Sequence, residues 1–118
     1  MNDVHELSIA MSIVEMAHEE ATRRGGVTIE AVHLRIGSLS GVVKDALRAS
    51  FGIASEDTLA AGAHLVIEDV PVTVRCPACE GTRPIRSLQE FCCAECGTPT
   101  ADVVGGRELL VTALELRS

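Results

Sequence analysis

From Leu7 to Arg24 the apolar residues recur every three or four positions. Leu7, Ala10, Met11, Val14, Ala17 and Ala21 fall on one stripe, Ile13 and Met16 widen it, and Glu15, Glu19 and Glu20 lie mainly off it. This spacing predicts an amphipathic helix. Gly25 and Gly26 stop it, just after Arg23 and Arg24, whose charges suit a helix C-terminus. The period then shortens to two. Val32, Leu34 and Ile36 alternate with His33 and Arg35, so residues 27–36 read as a strand with one buried face. The loop G-S-L-S-G, 37–41, follows. Residues 43–56 predict a second helix carried by Ala46, Leu47, Phe51 and Ala54 and weakened by Gly52. Residues 64–74 read as strand, kink at Pro71, strand. Leu110, Thr112, Leu114 and Leu116 alternate over a final strand.

The order is helix, strand, helix, strand, cysteine-rich stretch, strand. The last strand is expected to return to the sheet made by the first two. The fold class is then α/β: two helices on a small three-stranded sheet, with an inserted four-cysteine zinc module. The body covers 1–74 and 103–118, and the module 75–102.

The module is where chemistry enters. Cys76/Cys79 and Cys93/Cys96 form two C-x2-C pairs with 13 residues between them. A tetrahedral ion needs four soft donors at one point, and two short knuckles supply them. Gly and small residues just after each pair suit tight turns. The pattern reads as a structural zinc site with four cysteine ligands; disulfides and free core thiols are the alternatives. Cys92 offers a second register with Cys96 across three residues, a poorer knuckle.

Composition narrows the partners. The formal net charge is −7, and zinc with four thiolates adds about −2 more. With no basic stripe visible, nucleic acid is not the expected partner. The hydrophobic fraction of 47% supports a core, but Phe51 and Phe91 are its only aromatics, so the core is aliphatic. No run reaches 18 apolar residues, and M-N-D-V-H-E lacks the form of an export signal. Paired thiols without such a signal fit a reducing cytoplasm. No Ser/His/Asp set has motif spacing and no glycine-rich phosphate loop occurs, so an enzyme is not expected.

His5 and Glu6 stand just ahead of the predicted first helix. An imidazole suits nickel, copper or zinc, and a neighbouring carboxylate adds an oxygen donor or takes a proton. Amides at a helix start are free of the ladder and open to deprotonation by a square-planar Ni(II) ion. A solvated, idle histidine is the plainer alternative. His18, His33 and His64 read as structural or solvated.

The run H-E-L-S-I-A-M-S-I-V, 5–14, resembles the N-terminus of the HypA/HybF family, nickel-delivery proteins of [NiFe]-hydrogenase maturation. The likeness continues in L-R-I-G-S-L-S-G, 34–41, in C-P-A-C and F-C-C-A-E-C-G, and in G-R-E-L, 106–109. It covers nearly the whole chain, in order. The resemblance implies a metallochaperone with a structural Zn(2+) and a transferred Ni(2+). It implies nickel at His5 with Glu6 as the acidic residue beside it, and zinc at Cys76, Cys79, Cys93 and Cys96. The family pattern also selects Cys93 over Cys92. The implied partners are a nickel-binding GTPase of hydrogenase maturation and the hydrogenase large subunit; a homodimer is left open.

Two departures qualify the likeness. The family histidine usually follows the initiator Met directly, whereas Asn2, Asp3 and Val4 intervene here, so the amine is displaced and Asp3 becomes a candidate ligand. An acidic residue implicated after the G-x-x-S loop has Asp45 as its nearest counterpart, which reads more simply as a surface helix residue. The alternative function is a zinc-ribbon protein-interaction module without a transferred metal.

Overall fold

A computed structural model describes residues 2–117, with side chains from His5 to Arg117. Two helices and seven strands follow the chain as α1 (Asn2–Arg23), β1 (Ile29–Gly37), α2 (Lys44–Ala54), β2 (His64–Val70), β3 (Thr73–Cys76), β4 (Gly81–Ser87), β5 (Glu90–Cys93), β6 (Val103–Gly105) and β7 (Leu109–Leu116). They form two compact units. The first takes Met1–Leu34, Gly41–Glu68 and Leu110–Ser118, and the second Arg35–Ser40 and Asp69–Leu109.

In the first unit the last strand does return: the three-stranded sheet has the order β2-β1-β7. Arg117 N–H bonds the Thr28 carbonyl at 2.8 Å, just beyond one end of β1. At its other end, within the second unit, Gly37 N–H bonds the Glu108 carbonyl at 2.8 Å, so β1 and β7 run antiparallel. Ile29 and Ala31 are buried on one face of β1 and Val32 and Leu34 on the other. The central strand is thus covered on both faces near its start, where alternation predicted one.

The core of this unit joins Ala10, Ile13, Val14, Ala17 and Ala21 of α1 to Leu47 and Phe51 of α2, with Ala60 and Leu65. The small residues of α1 let α2 pack against it. The α1 stripe is turned from the predicted one: Leu7 and Met11 are exposed, while Glu6 is fully buried. Helix α1 also begins earlier than predicted, at Asn2, so His5 and Glu6 lie inside it rather than ahead of it.

The second unit holds a four-stranded sheet of order β5-β4-β3-β6. β3 and β4 form a hairpin that pairs Thr73 with Pro84 and Cys76 with Gly81, and β4 pairs antiparallel with β5, Ile85 opposite Cys93. Val72, Val74, Cys76 and Cys93, with Ile36, are its buried hydrophobic residues. The loop after β1 is tied within this unit, Leu39 N–H to the Gly106 carbonyl at 2.6 Å and Ser38 N–H to the Val70 carbonyl at 3.0 Å.

Candidate metal centres

The β3–β4 turn and the end of β5 bring the two C-x2-C pairs together. One ligand atom from each of Cys76, Cys79, Cys93 and Cys96 lies within 4.8 Å of the others, and no second group of three or more such donors gathers among the described residues. The Cys76 and Cys96 sulfurs are 3.6 Å apart, and those of Cys79 and Cys93 3.8 Å. Four sulfurs at the usual zinc–sulfur length stand about 3.8 Å from one another at tetrahedral angles. Donor type and spacing both fit zinc.

Each knuckle closes in the same way. Glu80 N–H returns to the Cys76 carbonyl and Gly97 N–H to the Cys93 carbonyl, both at 2.8 Å. The closing residue is left-handed in each, Gly97 at φ 78° and Glu80 at φ 56°. Glycine suits that conformation; a glutamate there is strained. Cys79 N–H points at the Cys76 sulfur, 3.4 Å away.

The sulfurs are not equivalent. The Thr98 hydroxyl lies 3.1 Å from the Cys96 sulfur and, with the Thr98 amide, brings the Cys96 thiol down to about 6. Cys79 is pushed up to about 12, first by its hydrogen bond to Cys96 and then by burial. The two shifts run in opposite directions, and the lowered thiol, Cys96, is the exposed one of the four. Beside them stands the Arg83 guanidinium. Its Nε is 3.2 Å from Glu95 Oε1, and Glu95, then the Cys79 and Cys93 sulfurs, raise the Arg83 pKa. Neither Arg83 nor Thr98 was singled out by sequence reasoning. Thr98, directly after C-G, is close enough in the chain to have been suspected; Arg83 arrives only through the β3–β4 register.

Cys92 stands outside the cluster. It precedes Cys93 on β5, so its side chain leaves the opposite face, and it is bridged to Pro99.

His5 is exposed in the first turns of α1, in the first unit. Glu6, next to it, is buried, and its Oε2 accepts the Val43 N–H at 2.8 Å. Its Oε1 is buried without a hydrogen-bond partner. Asp45 is exposed in the first turn of α2. The Asp3 side chain and the amine of Met1, both considered as ligands, lie outside the described residues.

The remaining histidines are engaged or solvated. His18 Nδ1 accepts the Leu59 N–H at 3.1 Å, which leaves the proton of the neutral ring on Nε2. His33 Nε2 meets Glu115 Oε2, and His64 is exposed.

The family model described as hydrogenase/urease nickel incorporation, metallochaperone, hypA, matches residues 4–116. A hydrogenase maturation factor HypA of Chloroflexus aurantiacus is 52% identical over 112 residues, 95% of this chain and 98% of that one. That of Chlorobaculum tepidum is 41% identical over 113 residues, 96% of this chain and 99% of the other. Among solved structures, the Ni metallochaperone HypA from Helicobacter pylori has a TM-score of 0.62 at 25% identity, covering 94% of this chain and 96% of its own. A further HypA solution structure has a TM-score of 0.72 at 26% identity, with 97% of each chain covered.

Proposed function

This chain belongs to the HypA family of nickel-incorporation metallochaperones, and from that premise we propose that it carries Ni(II) at His5 to the large subunit of a [NiFe]-hydrogenase, working in the cytoplasm beside a nickel-binding GTPase. A structural zinc ion at Cys76, Cys79, Cys93 and Cys96 orders the second unit. The observation that carries this division of labour is the placement of an exposed histidine in one unit and a closed four-sulfur cluster in the other.

The two donor sets suit different tasks. Four thiolates surround a zinc ion completely and hold it. An imidazole near the start of a helix, completed by backbone nitrogen or oxygen, binds nickel and leaves it open to exchange. The protein makes and breaks no covalent bond of a substrate in this scheme; nickel is its cargo.

Isothermal titration of zinc-loaded protein with nickel tests the proposal. Wild type is expected to take one nickel ion, and His5→Ala none of comparable affinity, with zinc content unchanged in both. Equal nickel affinity in the two proteins would overturn the assignment of His5. One zinc and no nickel in wild type would favour the zinc-ribbon interaction module.

A further inference from the structure

Glu6 is a fully buried carboxylate on α1. Such a group is expensive to desolvate, so its contacts identify its use. Its Oε2 accepts from Val43 N–H at 2.8 Å. Val43 is the N-cap residue of α2, with extended backbone (φ −88°, ψ 111°), and its own side chain makes no cap bond. The first amides of a helix lack carbonyl partners, and that of the N-cap residue itself is normally taken by a Glu or Gln side chain three residues on, as in a capping box. That position here is Ala46, which has no acceptor to give. Helix α1 supplies it from 37 residues upstream. A carboxylate at that end also favours the helix dipole.

We infer that Glu6 is a positioning residue rather than a metal donor: it caps α2 from α1, and this cross-helix bond fixes the turn on which His5 stands. The burial of Oε1 supports this, because a carboxylate waiting for an exchangeable ion needs an oxygen that solvent and metal can reach. The cap itself needs no nickel; its bearing on His5 rests on the nickel reading above.

Two variants separate the roles. Glu6→Gln keeps a carbonyl acceptor for Val43 but is a poor metal donor, whereas Glu6→Ala removes both. Amide hydrogen exchange on zinc-loaded, nickel-free protein reads the cap directly. Loss of a helix-start cap corresponds to about a tenfold fall in protection, expected at Val43 in Glu6→Ala and largely rescued in Glu6→Gln. With nickel added, Glu6→Gln is expected to bind within about threefold of wild type and to show the same visible spectrum. Glu6→Ala should bind more weakly.

Unchanged exchange at Val43 in Glu6→Ala would overturn the cap. Loss of nickel in Glu6→Gln as complete as in His5→Ala, with Val43 still protected, would make Glu6 a ligand and overturn the inference. If Glu6→Ala fails to fold, Glu6→Gln still decides: retained protection with an unchanged nickel spectrum supports the cap, and an altered spectrum with retained protection sinks it. If wild type itself binds no nickel, the exchange arm stands alone and only the function of His5 falls.

Discussion

A β-carbon built on Gly37 would lie 2.1 Å from the carbonyl oxygen of Gly106. These glycines belong to two motifs far apart in the chain, G-S-L-S-G and G-R-E-L, which the second unit makes into one joint. Gly37 N–H bonds the Glu108 carbonyl, Leu39 N–H bonds the Gly106 carbonyl, and Glu108 Oε1 accepts Gly106 N–H at 2.7 Å. Gly106 in turn has φ 116°, and its own β-carbon would meet the Val72 Cα at 2.9 Å.

Gly37→Ala should therefore destabilise the protein by about 3 kcal/mol, the upper end for overpacking, since the obstacle is backbone. Gly52→Ala provides the contrast. Gly52 lies in α2 with nothing within 4 Å of a built β-carbon, so the alanine should stabilise by about 0.8–1.0 kcal/mol. Thermal melts of the two variants should move in opposite directions.

In metal-free protein, Cys96 should be alkylated well before Cys79. The Cys96 thiol, brought down to about 6, is mostly thiolate at neutral pH, while Cys79, pushed up to about 12, is not. The signs for stability are opposite. The contribution of Cys96 is present above the ordinary thiol value of 9.0 and is lost as pH falls toward about 6. That of Cys79 is present below 9.0 and is lost as pH rises toward about 12. Thr98→Val should slow Cys96 alkylation at pH 7, read by mass spectrometry of the modified peptides. Equal rates before and after the substitution would refute the role of the hydroxyl.

Cys93→Ala should lose zinc and unfold the second unit, because structural zinc sites provide about 10–16 kcal/mol in small peptides and the β4–β5 arm has little apolar support. Leu88 is exposed, and Ile85 and Phe91 are only half-buried. Cys92→Ala should retain one zinc. Glu80→Gly should relieve the left-handed strain of the first knuckle, a gain of about 1 kcal/mol. Zinc content and denaturant midpoints check all three.

Nickel loading is expected to cost helix. Amides beyond the first turn of α1 are committed to carbonyls four residues back, so recruiting the Glu6 amide as a ligand must unwind the start of the helix. Affinity should rise steeply with pH, and exchange protection over 6–9 should fall when nickel binds. A variant lacking Asn2, Asp3 and Val4 should bind at least as tightly, with a spectrum shifted toward square-planar nickel.

His18→Ala should keep both metals yet lose about 1–2 kcal/mol, because it strands the Leu59 amide. Leu59 also gives its carbonyl to Ile29 N–H at 2.9 Å, so one residue links α1 to the approach to β1. Unchanged stability would show that water replaces the imidazole there.

Much of this architecture was legible as periodicity. Val32, Leu34 and Ile36 are buried as alternation requires, Leu47 and Phe51 carry α2, and C-x2-C spacing located the four sulfurs. What failed was the exact rotation of α1. Hydropathy favours Leu7 and Met11 over Glu6, but the Val43 amide gives a carboxylate reason to be buried. The start of α1 was misread for another reason: Asn2 and Asp3 are residues that favour a helix entry, and that signal was passed over in favour of the apolar stripe beginning at Leu7. Arg83, close to Cys79 in the chain, reaches the sulfurs through the pairing of β3 with β4, which no local pattern announces.

The pairing of β1 with β7 also dictates an order of events during synthesis. Glu30 and Arg117 are joined by a side-chain hydrogen bond across 87 residues, and every cysteine is made between them. Closing so long a loop in an unfolded chain is entropically unfavourable and slow. Within the second unit the Gly37–Glu108 bond sets the outgoing chain beside the incoming one at the point where β7 begins. A ribosome therefore releases the pieces in a useful sequence: cysteines first, then the strand that completes the sheet. A second unit that fails to close would leave β1 to find its last partner by the slow route.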